Sequence, residues 1–275
     1  MKNIYSIIGV ALIMLSAMLP NSVMAADAKT TAEACWNEGV RAYEERDYRA
    51  AVDAFTQVIE LGYPSANAYF NLANAYFKLG QEPSLTTNRS FSEGELGRAI
   101  LNYHRALRLN PAMVDARYNL ELAVDHTNDT EAVPESFIAT LWRGMRNTMT
   151  SNGWTIISLV MLGVMLVLVI LYLLSNIIVL RKICFFSSII LLVGFLLTTL
   201  LAISSRSAIL EDTRAVIITN DLTPVHASPE SASKVIRQPS QGVTVRVGRE
   251  HGEWSEIIFV DGEKGWIRSS QLERI

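Results

Sequence analysis

Cysteine is scarce in this chain of 275 residues, with only Cys35 and Cys184, and histidine is nearly so, with four. Cys184 lies within a long apolar run and Cys35 far outside it, so no disulfide can staple the fold. Thr31-Ala32-Glu33-Ala34 puts a charge where a lipidation signal needs an apolar residue, so Cys35 reads as a buried thiol. His104, His126, His226 and His251 are scattered over both ends of the chain. None stands at metal-ligand spacing from Cys, Asp or Glu, which argues against a zinc site. A glycine-rich phosphate loop, a strained serine elbow and a Cys-His pair are all missing, so no cofactor or catalytic reading is supported. The adjacent carboxylates Glu44-Glu45 and Glu211-Asp212 read as solvated charge pairs. A basic excess is missing too. Residues 26–153 hold 12 basic and 17 acidic side chains, and residues 206–275 hold 9 and 10. Nucleic acid is therefore a poor partner.

What the chain does have is apolar length. Residues 154 to 205 are almost unbroken apolar sequence, interrupted by Arg181-Lys182. As one helix they would span roughly 78 Å, against a hydrocarbon core of about 30 Å. Two passes are expected, 154–180 and 183–204, with Arg181-Lys182 at the tip of the hairpin. Neither pass contains an Asp, Glu, Lys, Arg or His, which argues against a proton relay or ion path. At the N-terminus, Lys2, the apolar run Ile4–Leu19, Pro20 and Val23-Met24-Ala25 have the layout of a signal peptide over residues 1–25. Whether it is cleaved after Ala25 or kept as an anchor, residue 30 onward lies outside the cytoplasm. Arg181-Lys182 then lies inside, as positive charge prefers.

Residues 30–130 carry an internal repeat. Trp36-Asn37-Glu38-Gly39 recurs as Phe70-Asn71-Leu72-Ala73 after 34 residues, and as Tyr118-Asn119-Leu120-Glu121 after a further 48. Ala51-Val52-x-x-Phe55 likewise returns as Ala99-Ile100-x-x-Tyr103. The surplus falls in a polar loop, 81–94, with Pro83 and Gly94. Small Gly39, Ala51, Ala73 and Ala99 sit where helices must approach, and Tyr43, Phe55, Tyr76 and Tyr103 fill the gaps between them. This pattern resembles the tetratricopeptide repeat family: two full repeats and a third first-helix, Val114–His126, as a cap. The resemblance implies a concave groove lined by Trp36, Val40 and Tyr43, then Phe70, Asn74 and Phe77, then Tyr118 and Leu122. Such a surface suits an extended peptide or a partner helix. Relatives that grip a terminal carboxylate need Lys and Arg where Trp36, Phe70 and Tyr118 stand here.

Residues 214–275 switch to short β runs. Gly242–Val247 and Trp254–Ile257 alternate at period two, and Asp261-Gly262 marks a hairpin turn. About five strands in some 60 residues suggest a compact barrel. Val225-x-x-x-Pro229, Gly242-x-x-Val245, Trp254-x-x-Ile257 and Gly265-Trp266-Ile267 resemble the bacterial SH3-like family, with Trp254 and Trp266 as core residues and loop 227–240 available for contact.

The expected fold class is a multi-domain membrane protein: an all-α tetratricopeptide helical repeat, two transmembrane helices and a small all-β SH3-like barrel. In that order, after a signal peptide, the parts resemble the BatE branch of the bacterial aerotolerance (Bat) family. The resemblance implies a non-catalytic scaffold in the bacterial inner membrane, with both soluble domains periplasmic. It also implies partners among von Willebrand-type membrane proteins and a MoxR-like ATPase system. The alternative from another class is a cell-wall (peptidoglycan) binding or sensing protein acting through the SH3-like domain.

Overall fold

The computed structural model describes residues 28–81, 94–127, 136–219 and 222–275. The expected signal peptide and most of the expected inserted loop lie outside the described residues. The chain begins with helices α1 (residues 28–44), α2 (Tyr48–Glu60), α3 (Ala66–Gly80), α4 (Glu95–Leu109) and α5 (Val114–Val124). Asp47 caps α2 by accepting from the Ala50 amide at 3.0 Å, and Ser65 caps α3 by accepting from Ala68 at 3.1 Å. These caps set two antiparallel helix pairs, with α5 stacked on the second. Ala51, Ala73 and Ala99 are fully buried at the crossings, and Phe55 and Tyr103 fill the space between helices. Cys35 is only half buried, because its Sγ faces the Gln57 side chain at 3.4 Å near the edge of the first pair.

Helix α6 (Phe137–Arg146) leads into α7 (Ser151–Leu174) and α8 (Ile178–Leu210). The last two are long and apolar enough to cross a membrane. They pack antiparallel, with the Ser151 hydroxyl donating to the Ala202 carbonyl at 3.1 Å and the Ser158 and Thr199 hydroxyls 2.7 Å apart. Small and hydroxyl residues let apolar helices approach and hold them together. The turn is not at Arg181-Lys182. It falls at residues 175–177, where the Ser175 hydroxyl accepts from the Ile177 amide at 3.1 Å and so offers the backbone an alternative to the helix. Arg181 sits in the first turns of α8, its guanidinium 4.9 Å from the centre of the Tyr172 ring.

Seven strands follow: β1 (Arg214–Ile217), β2 (Val225–His226), β3 (Val235–Arg237), β4 (Thr244–His251), β5 (Trp254–Ile258), β6 (Lys264–Arg268) and β7 (Leu272–Arg274). They form one antiparallel sheet in the order β3-β2-β6-β5-β4-β1-β7. Ile236 from one end of that order and Leu272 from the other pack on the same core of Ile217, Val225, Val245, Ile257 and Ile267, so the sheet curls into a barrel. The turn at Asp261-Gly262 joins β5 to β6.

The barrel is docked on the repeat. Val216, Ile218 and Ile275 pack into a cluster with Leu96, Ile100, Leu101 and Tyr103 of α4. Two glycines permit the approach. A Cβ on Gly97 would lie 2.6 Å from the Ile217 carbonyl oxygen, and one on Gly242 (φ +86°) would lie 2.6 Å from the Ile100 Cδ1. Arg108 of α4 donates to the carbonyls of Ile275 and Ile209, tying the repeat to both the barrel and the end of α8. Arg105 pairs with Glu273 at 2.9 Å. That pair is partly exposed and contributes at most about 1 kcal/mol. Burying side chains such as Val216 and Ile275 contributes about 1.5–3 kcal/mol each and dominates the contact.

Candidate functional site

The expected groove residues lie on α1, α3 and α5. Val40 and Tyr43 from α1 and Asn74 from α3 come together in a small cleft of about 140 Å³, with Glu44, Phe55 and Asn71. Trp36 lies elsewhere. It stacks edge-on against Phe55 at 5.6 Å and lines a separate cleft of about 660 Å³ with Lys29, Glu33 and Tyr63. Phe70 is half buried against Tyr103, with ring centres 6.1 Å apart. Phe77 is 6% exposed and packs on His126, so it belongs to the core and offers nothing to a groove ligand. Tyr118 and Leu122, at 66% and 41% exposure, form an apolar pair one turn apart on α5.

Asn74 has a structural role as well. Its Oδ1 accepts from the Tyr103 hydroxyl at 2.6 Å and from Asn119 Nδ2 at 2.9 Å, linking α3, α4 and α5. Burial pushes the Tyr103 phenol up, so it stays a neutral donor at any working pH. Asn71 and Asn119 were not among the expected groove residues. Their signal was the asparagine at the second place of each repeated motif.

On the barrel, strand alternation turns Ser255, Ile257 and Ile267 inward, and Trp254 and Trp266 the other way. The tryptophans are therefore half-buried surface residues, not core. Trp254 stands edge-on to His226 at 5.2 Å, and Trp266 pairs across strands with both His226 and Glu256. Arg249 grips Glu256 through two bonds of 3.1 and 2.9 Å and holds its carboxyl down at about 2. Aromatic and charged groups thus share one outer face.

The reading of Glu211-Asp212 as a solvated pair also changes. The Asp212 side chain is only 6% exposed and binds Arg214 through both oxygens, at 2.9 and 2.7 Å. Burial opposes its ionisation, but the Arg214 hydrogen bonds and charge, helped by Arg108, hold its pKa below the ordinary value. Among the described residues, no group of His, Cys, Asp and Glu is placed to hold a metal ion.

Stacked helix pairs and a curled antiparallel sheet, joined by two long apolar helices, define a protein built from interaction modules. Residues 37–83 match the tetratricopeptide repeat family and residues 220–273 match the bacterial SH3 domain family. No curated protein matches the chain. Both modules are typically non-catalytic, and their partners are in general proteins or the cell wall.

Proposed function

We propose that the protein is a non-catalytic scaffold of the bacterial inner membrane, which presents a peptide- or helix-binding groove on the periplasmic side. One observation carries this reading. The antiparallel packing of α7 on α8 returns the chain to the end where it began, and there the repeat and the barrel dock as one body. Holding a groove beside the bilayer raises the effective concentration of membrane partners without any chemistry. The domain order supports a place in an aerotolerance assembly with von Willebrand-type proteins and a MoxR-like ATPase. The groove's apolar content, Val40, Tyr43, Tyr118 and Leu122, suits a partner segment with alternating or helical apolar anchors. Purification of the full chain from solubilised membranes tests this reading. Tyr118→Glu with Leu122→Glu is expected to deplete co-purifying membrane proteins at least tenfold, while unchanged recovery would sink it.

The outward tryptophans favour a second reading, in which the barrel binds cell-wall glycopeptide. Sedimentation of the full chain with purified sacculi decides it. Binding that drops severalfold in Trp254→Ala with Trp266→Ala supports this reading, and failure to sediment removes it.

A further inference from the structure

Six arginines, Arg108, Arg117, Arg143, Arg146, Arg214 and Arg246, line one cavity of about 580 Å³ between the repeat, the barrel and the end of α8. Among the described residues of its lining, Glu211 and Asp212 are the only carboxylates, and Asp212 is committed to Arg214. His104 on the same wall is neutral at pH 7, because enclosure pushes it down to about 3. Arg108 bonds to the backbone carbonyls of Ile209 and Ile275, Arg117 to that of Pro111, and Arg146 to the Asn147 side chain at 3.3 Å. The Pro111 carbonyl and the Asn147 amide oxygen are neutral acceptors, which fix Arg117 and Arg146 in place and leave their charge uncancelled. Burial, then the charges of Arg143 and Arg214, lower the pKa of Arg146.

The cavity lies at the mouth of the apolar hairpin. Ser205, Ala208 and Ile209 form its floor, and Ala202, one turn earlier, is level with the start of α7. Beside it, α6 shows Phe137, Ile138, Leu141 and Met145 on its exposed surface, and Trp142 Nε1 donates to Ser204 Oγ at 3.1 Å. An exposed apolar helix surface with arginines and an anchoring tryptophan, next to a membrane span, is the make-up of a helix lying among lipid headgroups. Phosphate is the anion that such a layer offers, and planar guanidinium forks bind it through paired hydrogen bonds.

We propose that this arginine-lined cavity binds a phosphate group, supplied either by the headgroup of an anionic phospholipid or by a free phosphate. The site is independent of whatever occupies the groove. The test is thermal melting of the full chain in detergent at constant ionic strength, titrated separately with inorganic phosphate and with dihexanoyl-phosphatidylglycerol. A saturable rise in melting temperature is expected with at least one probe. A response to the lipid alone identifies a headgroup site, and a response to inorganic phosphate identifies a small-phosphate site. Arg146→Gln with Arg246→Gln is expected to weaken half-saturation about tenfold or more. If that pair does not fold, Arg246→Gln alone, at an exposed position on β4, is measured instead. No rise with either probe, or the same half-saturation in wild type and variant, overturns the proposal.

Discussion

The imidazole of His104 forms part of the cavity wall, with its Nε2 3.5 Å from the Thr244 hydroxyl. Enclosure, aided by the Arg214 charge and opposed by Asp212, depresses it from 6.5 to about 3. Below pH 6.5 the unfolded chain takes up a proton that the folded one refuses. This contribution to stability is therefore complete above pH 6.5 and is lost as pH falls toward 3. The expected outcome is a fall in melting temperature between pH 7 and pH 5 that His104→Gln flattens. An equal slope in the variant would show that another group titrates. At this scale, what was legible in the sequence depended on how local the cause is. Ala51, Ala73 and Ala99 recur at fixed spacing because every helix crossing imposes the same steric demand. Trp254 and Trp266 misled, since alternation separates two faces of a strand without saying which is inside. Ile257 and Ile267 hold the interior and displace the larger rings outward.

Helix α4 serves two interfaces. Ala99 and Tyr103 pack within the repeat, while Gly97 and Arg108 meet the barrel. A side chain at Gly97 meets backbone, not a movable side chain, so the barrel itself must shift. Gly97→Val is expected to cost about 1–3 kcal/mol through overpacking. Thermal melting would read this, together with faster proteolysis near residues 211–213. The same change at Gly144, where a Cβ would meet nothing within 4 Å, supplies the control. Loss of stability equal to that of the control would mean that the close approach does not matter. The hairpin was legible as an element, but its turn was not. The basic pair drew attention by its charge, whereas Ser175 ends the helix by a hydrogen bond that hydropathy does not register. Helix α6 is not legible in the sequence, because its ten residues of mixed character flank a much stronger apolar signal.

For the whole molecule, the parts and their order were legible, and their mutual packing was not. The contact between repeat and barrel joins Gly97, Val216, Gly242 and Ile275, residues far apart in the chain and each ordinary in its own stretch. No periodicity links them, so only the folded chain reveals the pairing. The cavity has the same origin: its arginines come from α4, α5, α6, β1 and β4. Charge counts along the sequence showed no basic excess, because acidic side chains elsewhere on the same segments hid it.

Helix α8 runs without a break for 33 residues, and Arg108 clasps its last turn. A rod of that length measures ~50 Å, so leaning it by ~10° sweeps its upper end through ~9 Å. With that end pinned to α4 and to Ile275, the repeat and barrel must swing with it. In the proposed topology, bilayer thickness, which governs how far such a rod leans, would act as a dial on the direction in which the proposed groove points.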